Sequence, residues 1–159
     1  DASNNWQLFI AKLNPAGASY SGFGTNGISF LYLNPLNVGY ELIRTSDKKL
    51  YISGTTGQGG TGNRDFLLAR YLPSGELDDA FDADGYVITA IRPDWDEANA
   101  LAMQPDGKVV VVGYGQEGSG HKGFAVARFS GSWWYWKEFS QSVTTCRESG
   151  GRPAPRAGS

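Results

Sequence analysis

Residues 66–71 read Phe-Leu-Leu-Ala-Arg-Tyr, and closely similar hexapeptides occupy residues 8–13 and 124–129. The alanines of the three copies stand at positions 11, 69 and 127, which is a spacing of 58 residues in both intervals. In the first two copies the hexapeptide is followed by Pro-x-Gly. Equal spacing of the same residue types indicates a tandem repeat. We expect Ala11, Ala69 and Ala127 to be buried at equivalent positions of three equivalent strands.

A second segment of the repeat carries a hairpin signal. Residues 105–107 read Pro-Asp-Gly between two apolar runs, a pattern that favours a tight β-hairpin. The first copy has Asp-Lys-Lys at residues 47–49, one residue closer to its hexapeptide than the repeat spacing requires. Four strands per repeat follow, and in the second copy they are predicted at residues 66–72, 86–91, 98–104 and 108–114. Little helix is expected.

A family resemblance is carried by residues 66–113. They contain, in order, Phe-x-x-Ala-Arg-Tyr, Pro-Ser-Gly-Glu-Leu-Asp, Phe-Asp-x-Asp-Gly and Gln-Pro-Asp-Gly-Lys-Val-Val-Val-Val-Gly. This series resembles the bacterial delta-60 repeat over roughly residues 8–132. The resemblance implies an all-β fold of tandem four-stranded antiparallel units of about 58 residues, similar to β-propeller blades. It also implies an extracellular or cell-surface protein of bacteria, and it supplies no catalytic residues. A β-trefoil or another closed β-barrel is the alternative fold.

The domain organisation follows from where the repeat stops. Residues 1–132 form a tandem repeat domain of about two and a half repeats, and residues 133–159 form a divergent C-terminal cap or tail that begins Trp-Trp-Tyr-Trp. A propeller usually has four to eight blades. Open strand edges expose unpaired backbone groups and invite pairing with another chain. The repeat domain is therefore expected to form a homo-oligomer through its open edges, unless the aromatic segment caps the last one.

Composition excludes several classes of protein. A net charge of −2 over 159 residues gives no basic surface for nucleic acid. There is no apolar run long enough for a membrane-spanning helix. A single cysteine, Cys146, excludes an internal disulfide. No signal peptide is recognisable, although a chain that starts at Asp1 is compatible with a removed leader or with a segment of a longer protein.

An acidic run is the candidate metal site. Asp78, Asp79, Asp82 and Asp84 precede Gly85, and calcium loops use closely spaced carboxylates around a glycine turn. However, the twelfth position counted from Asp78 is threonine, where a calcium loop needs an acid. Solvated turn carboxylates are the alternative interpretation. Calcium is therefore the only cofactor that the sequence predicts.

Candidates for catalysis are few. His121 is the only histidine and a weak candidate for a general base. Residues 113–118 match Gly-x-Gly-x-x-Gly, but a strand and not a helix is predicted after them, so a dinucleotide site is not expected. Asp94, Asp96 and Glu97 are expected in a solvated loop, although Glu97 also belongs to the best set of polar ligand-binding candidates, together with Asp82 and Asp84.

A basic residue recurs in the repeated hexapeptide, as Lys12, Arg70 and Arg128. A charge that repeats with the strand usually supports the structure of the repeat, by pairing with an acid or by covering apolar surface. We expect that role here.

The sequence predicts a non-enzymatic β-repeat module that presents a binding surface for a protein or a glycan. The alternative is a hydrolase, for example a calcium-dependent lactonase or glycosidase, on a β-propeller-type scaffold. Near symmetry of the copies weighs against an enzyme, because catalysis requires one copy to depart from the pattern in an interpretable way.

Overall fold

The computed structural model describes residues 6–57, 63–117 and 121–130, and these contain strands and no helix. The all-β prediction is confirmed, and nothing in the described part of the chain could cross a bilayer as a helix. The strands are β1 (Leu8–Ala11), β2 (Ile28–Leu31), β3 (Leu36–Arg44), β4 (Leu50–Gly57), β5 (Arg64–Tyr71), β6 (Tyr86–Thr89), β7 (Trp95–Met103), β8 (Val109–Glu117) and β9 (His121–Phe129). The predicted cap or tail at residues 133–159 lies outside the described residues.

The strands pair mainly with their neighbours in sequence. β1 and β2 form a two-stranded antiparallel sheet. β3, β4, β5 and β6 pair antiparallel in that order, which we call the central meander. β7, β8 and β9 continue in the same way, and one parallel pairing, of Arg64 with Trp95, joins them to the central meander.

The closed-barrel and β-trefoil alternative is wrong for the described residues. β3 and β9 stand at the two ends of the strand order and do not pair with each other. Closure would need a hydrogen-bonded ladder between the first and last strands. The described sheets instead remain open.

Corresponding backbone hydrogen bonds recur in the two copies. The Lys12 N–H donates to the Gly27 carbonyl at 2.9 Å, and the Arg70 N–H donates to the Gly85 carbonyl at 2.8 Å. The parallel pairing of Arg64 with Trp95 has its counterpart in the bridge between Trp6 and Leu36. The sequence repeat is therefore also a repeat of backbone structure.

A β-bulge recurs as well. The register of β3 shifts between Gly39 and Glu41, and that of β7 shifts between Glu97 and Ala100. A bulge interrupts the ladder and redirects the side chains beside it. In both copies it lies in the strand that follows the short outer strand, so it is part of the repeat.

The core consists of two apolar layers on opposite faces of β5, because successive side chains of a strand point to opposite faces. Phe66 and Leu68 belong to a cluster with β8 and β9, whereas Leu67, Ala69 and Tyr71 belong to a cluster with β1 and β2. All five side chains are buried. β5 is thus a central strand with apolar contacts on both sides.

The alanine prediction is confirmed for two of three positions. Ala69 and Ala127 are buried, but Ala11 is exposed, so the prediction is wrong there. β5 pairs with β4 and β9 pairs with β8, whereas β1 has β2 as its partner among the described strands. The layer that covers the other two alanines has no counterpart over Ala11 in the described chain.

A buried ion cluster holds the turn between β5 and β6 against β4. The Asp78 carboxylate lies 2.7 Å from Arg70 Nε and 2.8 Å from Lys49 Nζ. The Arg70 guanidinium also lies 4.8 Å from the ring centre of Phe81. The basic residue at this position therefore supports the repeat, as expected.

The first copy uses a different contact at the same place. Tyr20 occupies the position of Asp78, and Lys12 Nζ lies 4.4 Å from the centre of its ring. A cation over an aromatic face replaces the ion pair. The basic position is thus retained while its partner changes.

Replacing Ala69 tests the core assignment. Ala69→Glu places a charge without a partner between the two layers, and we expect the free energy of unfolding to fall by roughly 3–5 kcal/mol. Ala11→Glu at the exposed equivalent position is the matched control, with a change within about 0.5 kcal/mol. Chemical denaturation measures both. Equal effects of the two substitutions would contradict the assignment.

The ion cluster predicts an acid-dependent loss of stability. Burial alone would raise the pKa of Asp78, but the hydrogen bond from Lys49 and the charge of Arg70 outweigh it and lower the pKa. A lowered folded-state pKa gives stability that is present above the unfolded pKa and is lost as the pH falls through the folded value. Asp78→Asn should lower the unfolding free energy at pH 7 by roughly 3 kcal/mol.

The same substitution should flatten the dependence of stability on pH below about pH 4, because the titrating group is gone. Asp79→Asn, at an exposed neighbour, is the control and should change neither quantity. Denaturation curves collected between pH 2 and pH 7 supply the measurement. An unchanged acid slope in Asp78→Asn would show that other carboxylates dominate.

Candidate functional site

Glu97 on β7 gathers polar side chains from several strands. Its Oε1 accepts a hydrogen bond from Trp95 Nε1 at 3.0 Å and lies 3.5 Å from Arg64 Nη1. Tyr40 and Tyr114 also hydrogen-bond to its carboxylate. We call these five residues the Glu97 cluster: Tyr40, Arg64, Trp95, Glu97 and Tyr114.

The fold explains why these residues meet. Glu97 and Tyr114 are direct cross-strand partners of β7 and β8, and Trp95 lies two residues before Glu97 on the same face. Arg64 begins β5 at the parallel pairing with Trp95. Tyr40 stands in the bulge of β3, which lies beside β7. Four strands that are distant in sequence therefore deliver side chains to one point.

Both tyrosines of the cluster stay protonated at neutral pH. Burial, followed by the hydrogen bond to Glu97, raises the pKa of Tyr114 to about 12. Burial and the charge of Glu97 also raise the pKa of Tyr40. Their hydroxyls therefore remain hydrogen-bond donors toward the carboxylate.

Aromatic and cationic groups stack around the carboxylate. The Arg64 guanidinium lies 4.0 Å from the ring centre of Trp95, and Lys122 Nζ lies 4.4 Å from that of Tyr114. Tyr40 is exposed, while Trp95 and Glu97 are partly buried. The site thus offers aromatic surface beside a carboxylate and a guanidinium.

The Glu97 cluster belongs to one copy of the repeat. Residues of the second copy that follow the hairpin spacing lie 59 positions after their first-copy equivalents, so Trp95, Glu97 and Tyr114 correspond to leucine, valine and threonine at 36, 38 and 55. Small or apolar residues have been replaced by two aromatic residues and an acid. Comparison of the two copies at this offset was the signal that would have identified the site from sequence.

Asp96 holds the loop in front of the cluster. Its Oδ2 accepts hydrogen bonds from the backbone N–H groups of Ile91 at 2.6 Å and Arg92 at 2.9 Å, and its side chain is buried. Burial raises the pKa of Asp96, although these two donors act in the opposite direction. Asp96 therefore fixes the approach to Trp95.

The expectation of a solvated loop is wrong for Asp96 and Glu97. Both lie in β7, where one is buried and the other is partly buried. The sequence around them is polar and contains proline, which is typical of loops, but cross-strand pairing with β8 overrides that local signal. Asp94 precedes the strand, and its carbonyl accepts the Arg64 N–H at 2.9 Å.

The four aspartates of the predicted calcium site have separate environments. Asp78 is in the ion cluster, and Asp79 is exposed. Asp82 has a positive φ of 52°, and the Asp84 carboxylate accepts the Tyr86 N–H at 3.3 Å. Over residues 6–57, 63–117 and 121–130, no three acidic, histidine or cysteine side chains form a group that could hold a metal ion. The calcium site stays a prediction, and calcium would have to compete with Lys49 and Arg70 for Asp78.

His121 is the first residue of β9, directly across from Glu117. Its side chain lies outside the described part of the structure, and so does Cys146. Residues 113–117 of the Gly-x-Gly-x-x-Gly segment continue strand β8. That segment therefore lacks the strand-to-helix turn on which a dinucleotide pyrophosphate would lie.

Comparison with known proteins gives one partial family match. Residues 45–81 and 104–132 match the model of a family described as a domain of unknown function (DUF5122), beta-propeller. No curated protein and no solved structure is significantly similar to the chain. The two matched segments contain corresponding strands of the two copies, β4 with β5 and β8 with β9. Together with the observed strands, the match supports a β-propeller-like repeat fold.

Proposed function

We propose that this chain is a non-enzymatic, β-propeller-like module that binds a glycan at the Glu97 cluster, and that its repeating unit is a four-stranded blade related to the delta-60 repeat. The central meander, with β3 to β6 in antiparallel order, supports the four-stranded unit. The resemblance to bacterial surface proteins favours an extracellular site of action.

The observation that carries this proposal is the break in symmetry at Glu97. A repeat that only needed to fold has the same inward residues in each copy, whereas here one copy alone assembles a carboxylate, a guanidinium and three aromatic rings. Binding sites combine aromatic walls with a few polar groups that fix the orientation of the ligand. The departure from the repeat thus coincides with the chemistry of a binding site.

A neutral sugar fits this chemistry. Its C–H face packs on aromatic rings, and its hydroxyl groups pair with a carboxylate and a guanidinium. Tyr40 supplies the exposed ring, while Glu97 and Arg64 supply an acceptor and a donor 3.5 Å apart. A protein ligand is the other outcome of the test below. The hydrolase alternative remains a prediction that activity assays with lactones and glycosides would address.

Reversion to the first-copy residues tests the proposal. Trp95→Leu and Glu97→Val introduce side chains that the same fold accepts at positions 36 and 38. Screening of neutral oligosaccharides, followed by calorimetric titration of those that bind, should show at least tenfold weaker binding in each variant, or about 1.4 kcal/mol. Because the fold tolerates these residues, melting temperatures should stay within a few degrees.

Glu97→Gln separates charge from shape, since it keeps the size of the side chain and should also weaken binding. Asp79→Asn, remote in role and exposed, is the control and should bind like the parent chain. Oligosaccharide binding that is unaffected by Glu97→Val would place the glycan elsewhere. Capture of proteins but of no oligosaccharide, lost in the same variants, would assign the site to a protein ligand.

A further inference from the structure

A groove of about 420 Å³ separates β1 from β3. Residues 6–11 line one side, and residues 37–42 with Ile52 line the other. The first wall contains the β1 backbone, and the second contains the bulge of β3. This groove lies apart from the Glu97 carboxylate, although Tyr40 borders both.

The repeat shows what occupies the same place in the next unit. β5 and β7 are the equivalents of β1 and β3, and β4 lies between them, paired with β5 along eight residues and in contact with β7. β1 uses for β2 the edge that β5 uses for β6. Among the described residues, nothing pairs with the other edge of β1, which is the edge where β5 holds β4.

Exposed apolar side chains mark the same vacancy. Phe9 is 60% exposed, whereas its equivalent Leu67 is 0% exposed opposite β4. Leu42 is 46% exposed, whereas its equivalent Leu101 is 6% exposed and belongs to a cluster that includes Tyr51 of β4. The covering element in the second unit is therefore the β3–β4 hairpin.

That hairpin also brings a carboxylate. The Leu101 N–H donates a hydrogen bond of 2.6 Å to Glu41 Oε2 on β3. Leu42 holds the equivalent place in the first unit. A hairpin that entered the groove in the same way would present a glutamate to Leu42 from its first strand and a tyrosine from its second strand.

We propose that the groove is a peptide-binding site that takes a β-hairpin of the β3–β4 type, donated by another repeat-bearing chain, as an added strand on β1. Strand addition supplies backbone hydrogen bonds, and side-chain pockets supply specificity. Pairing in the register of β4 with β5 sets a glycine opposite Phe9, as Gly54 stands opposite Leu67. The aromatic residue three positions earlier, equivalent to Tyr51, then covers Leu42.

The probe is a cyclised peptide of residues 36–57, whose ends Leu36 and Gly57 are cross-strand partners and can be joined by a short linker. Cyclisation is needed because an isolated two-stranded hairpin is only marginally stable. Titration into the full chain should show saturable binding. Hydrogen exchange should show new protection of β1 amides.

Two matched peptides test the recognition. The Glu41→Gln peptide loses the charge-assisted hydrogen bond and should bind about tenfold more weakly. A cyclised peptide of residues 95–116 has Ala100 and Val110 at the places of Glu41 and Tyr51, so it should be weaker still. Equal affinity of all three peptides would overturn the proposed recognition.

Variants of the chain locate the site. Phe9→Asp should reduce binding of the 36–57 peptide at least tenfold, whereas Phe124→Asp, at a comparably exposed phenylalanine of β9, should leave it unchanged. Glu97→Val should also leave it unchanged, which separates this proposal from glycan binding. No binding at 1 mM peptide, roughly the weakest affinity of interest, would overturn the proposal. Protection of β1 in the chain alone that the peptide does not alter would show a different occupant and overturn it as well.

Discussion

Burial of β5 on both faces is the constraint on which the rest of the packing depends. A strand with apolar side chains on both sides cannot be completed by one sheet, so the sheet before it and the sheet after it must each supply a layer. The same sequence is then required again at a fixed distance, because the next strand of this kind faces the same demand. Tandem repetition in this chain is thus a consequence of packing.

The strands and the repeat were predictable, because they depend on local signals. The Ala-Arg-Tyr hexapeptides and the Asp-Gly turn define strands and hairpins without knowledge of the partners. Exposure of Ala11 was not predictable, because a strand carries no local mark of whether a neighbouring layer is present. The Glu97 cluster was missed for a related reason. Its residues come from β3, β5, β7 and β8, and only the cross-strand register and the bulges bring them together.

The turn between β5 and β6 shows how much a repeat can vary while its backbone is kept. The hydrogen bonds of this turn recur in both copies, yet one copy stabilises it with an ion pair to Asp78 and the other with a cation over the ring of Tyr20. Acidic residues of the second copy therefore have a structural use that a sequence pattern for metal binding does not reveal. The same freedom at side-chain positions permits one copy to acquire the Glu97 cluster without loss of the fold.

The single parallel pairing of Arg64 with Trp95 has a mechanical consequence. Within the described residues, the backbone ladder that joins the central meander to β7, β8 and β9 is one residue pair long, whereas β4 and β5 share eight. A tensile load applied along the chain would part the two sheets at this joint and leave each sheet intact, since apolar layers slide more easily than a ladder of hydrogen bonds shears. Under tension such a protein would lengthen in steps, one unit at a time.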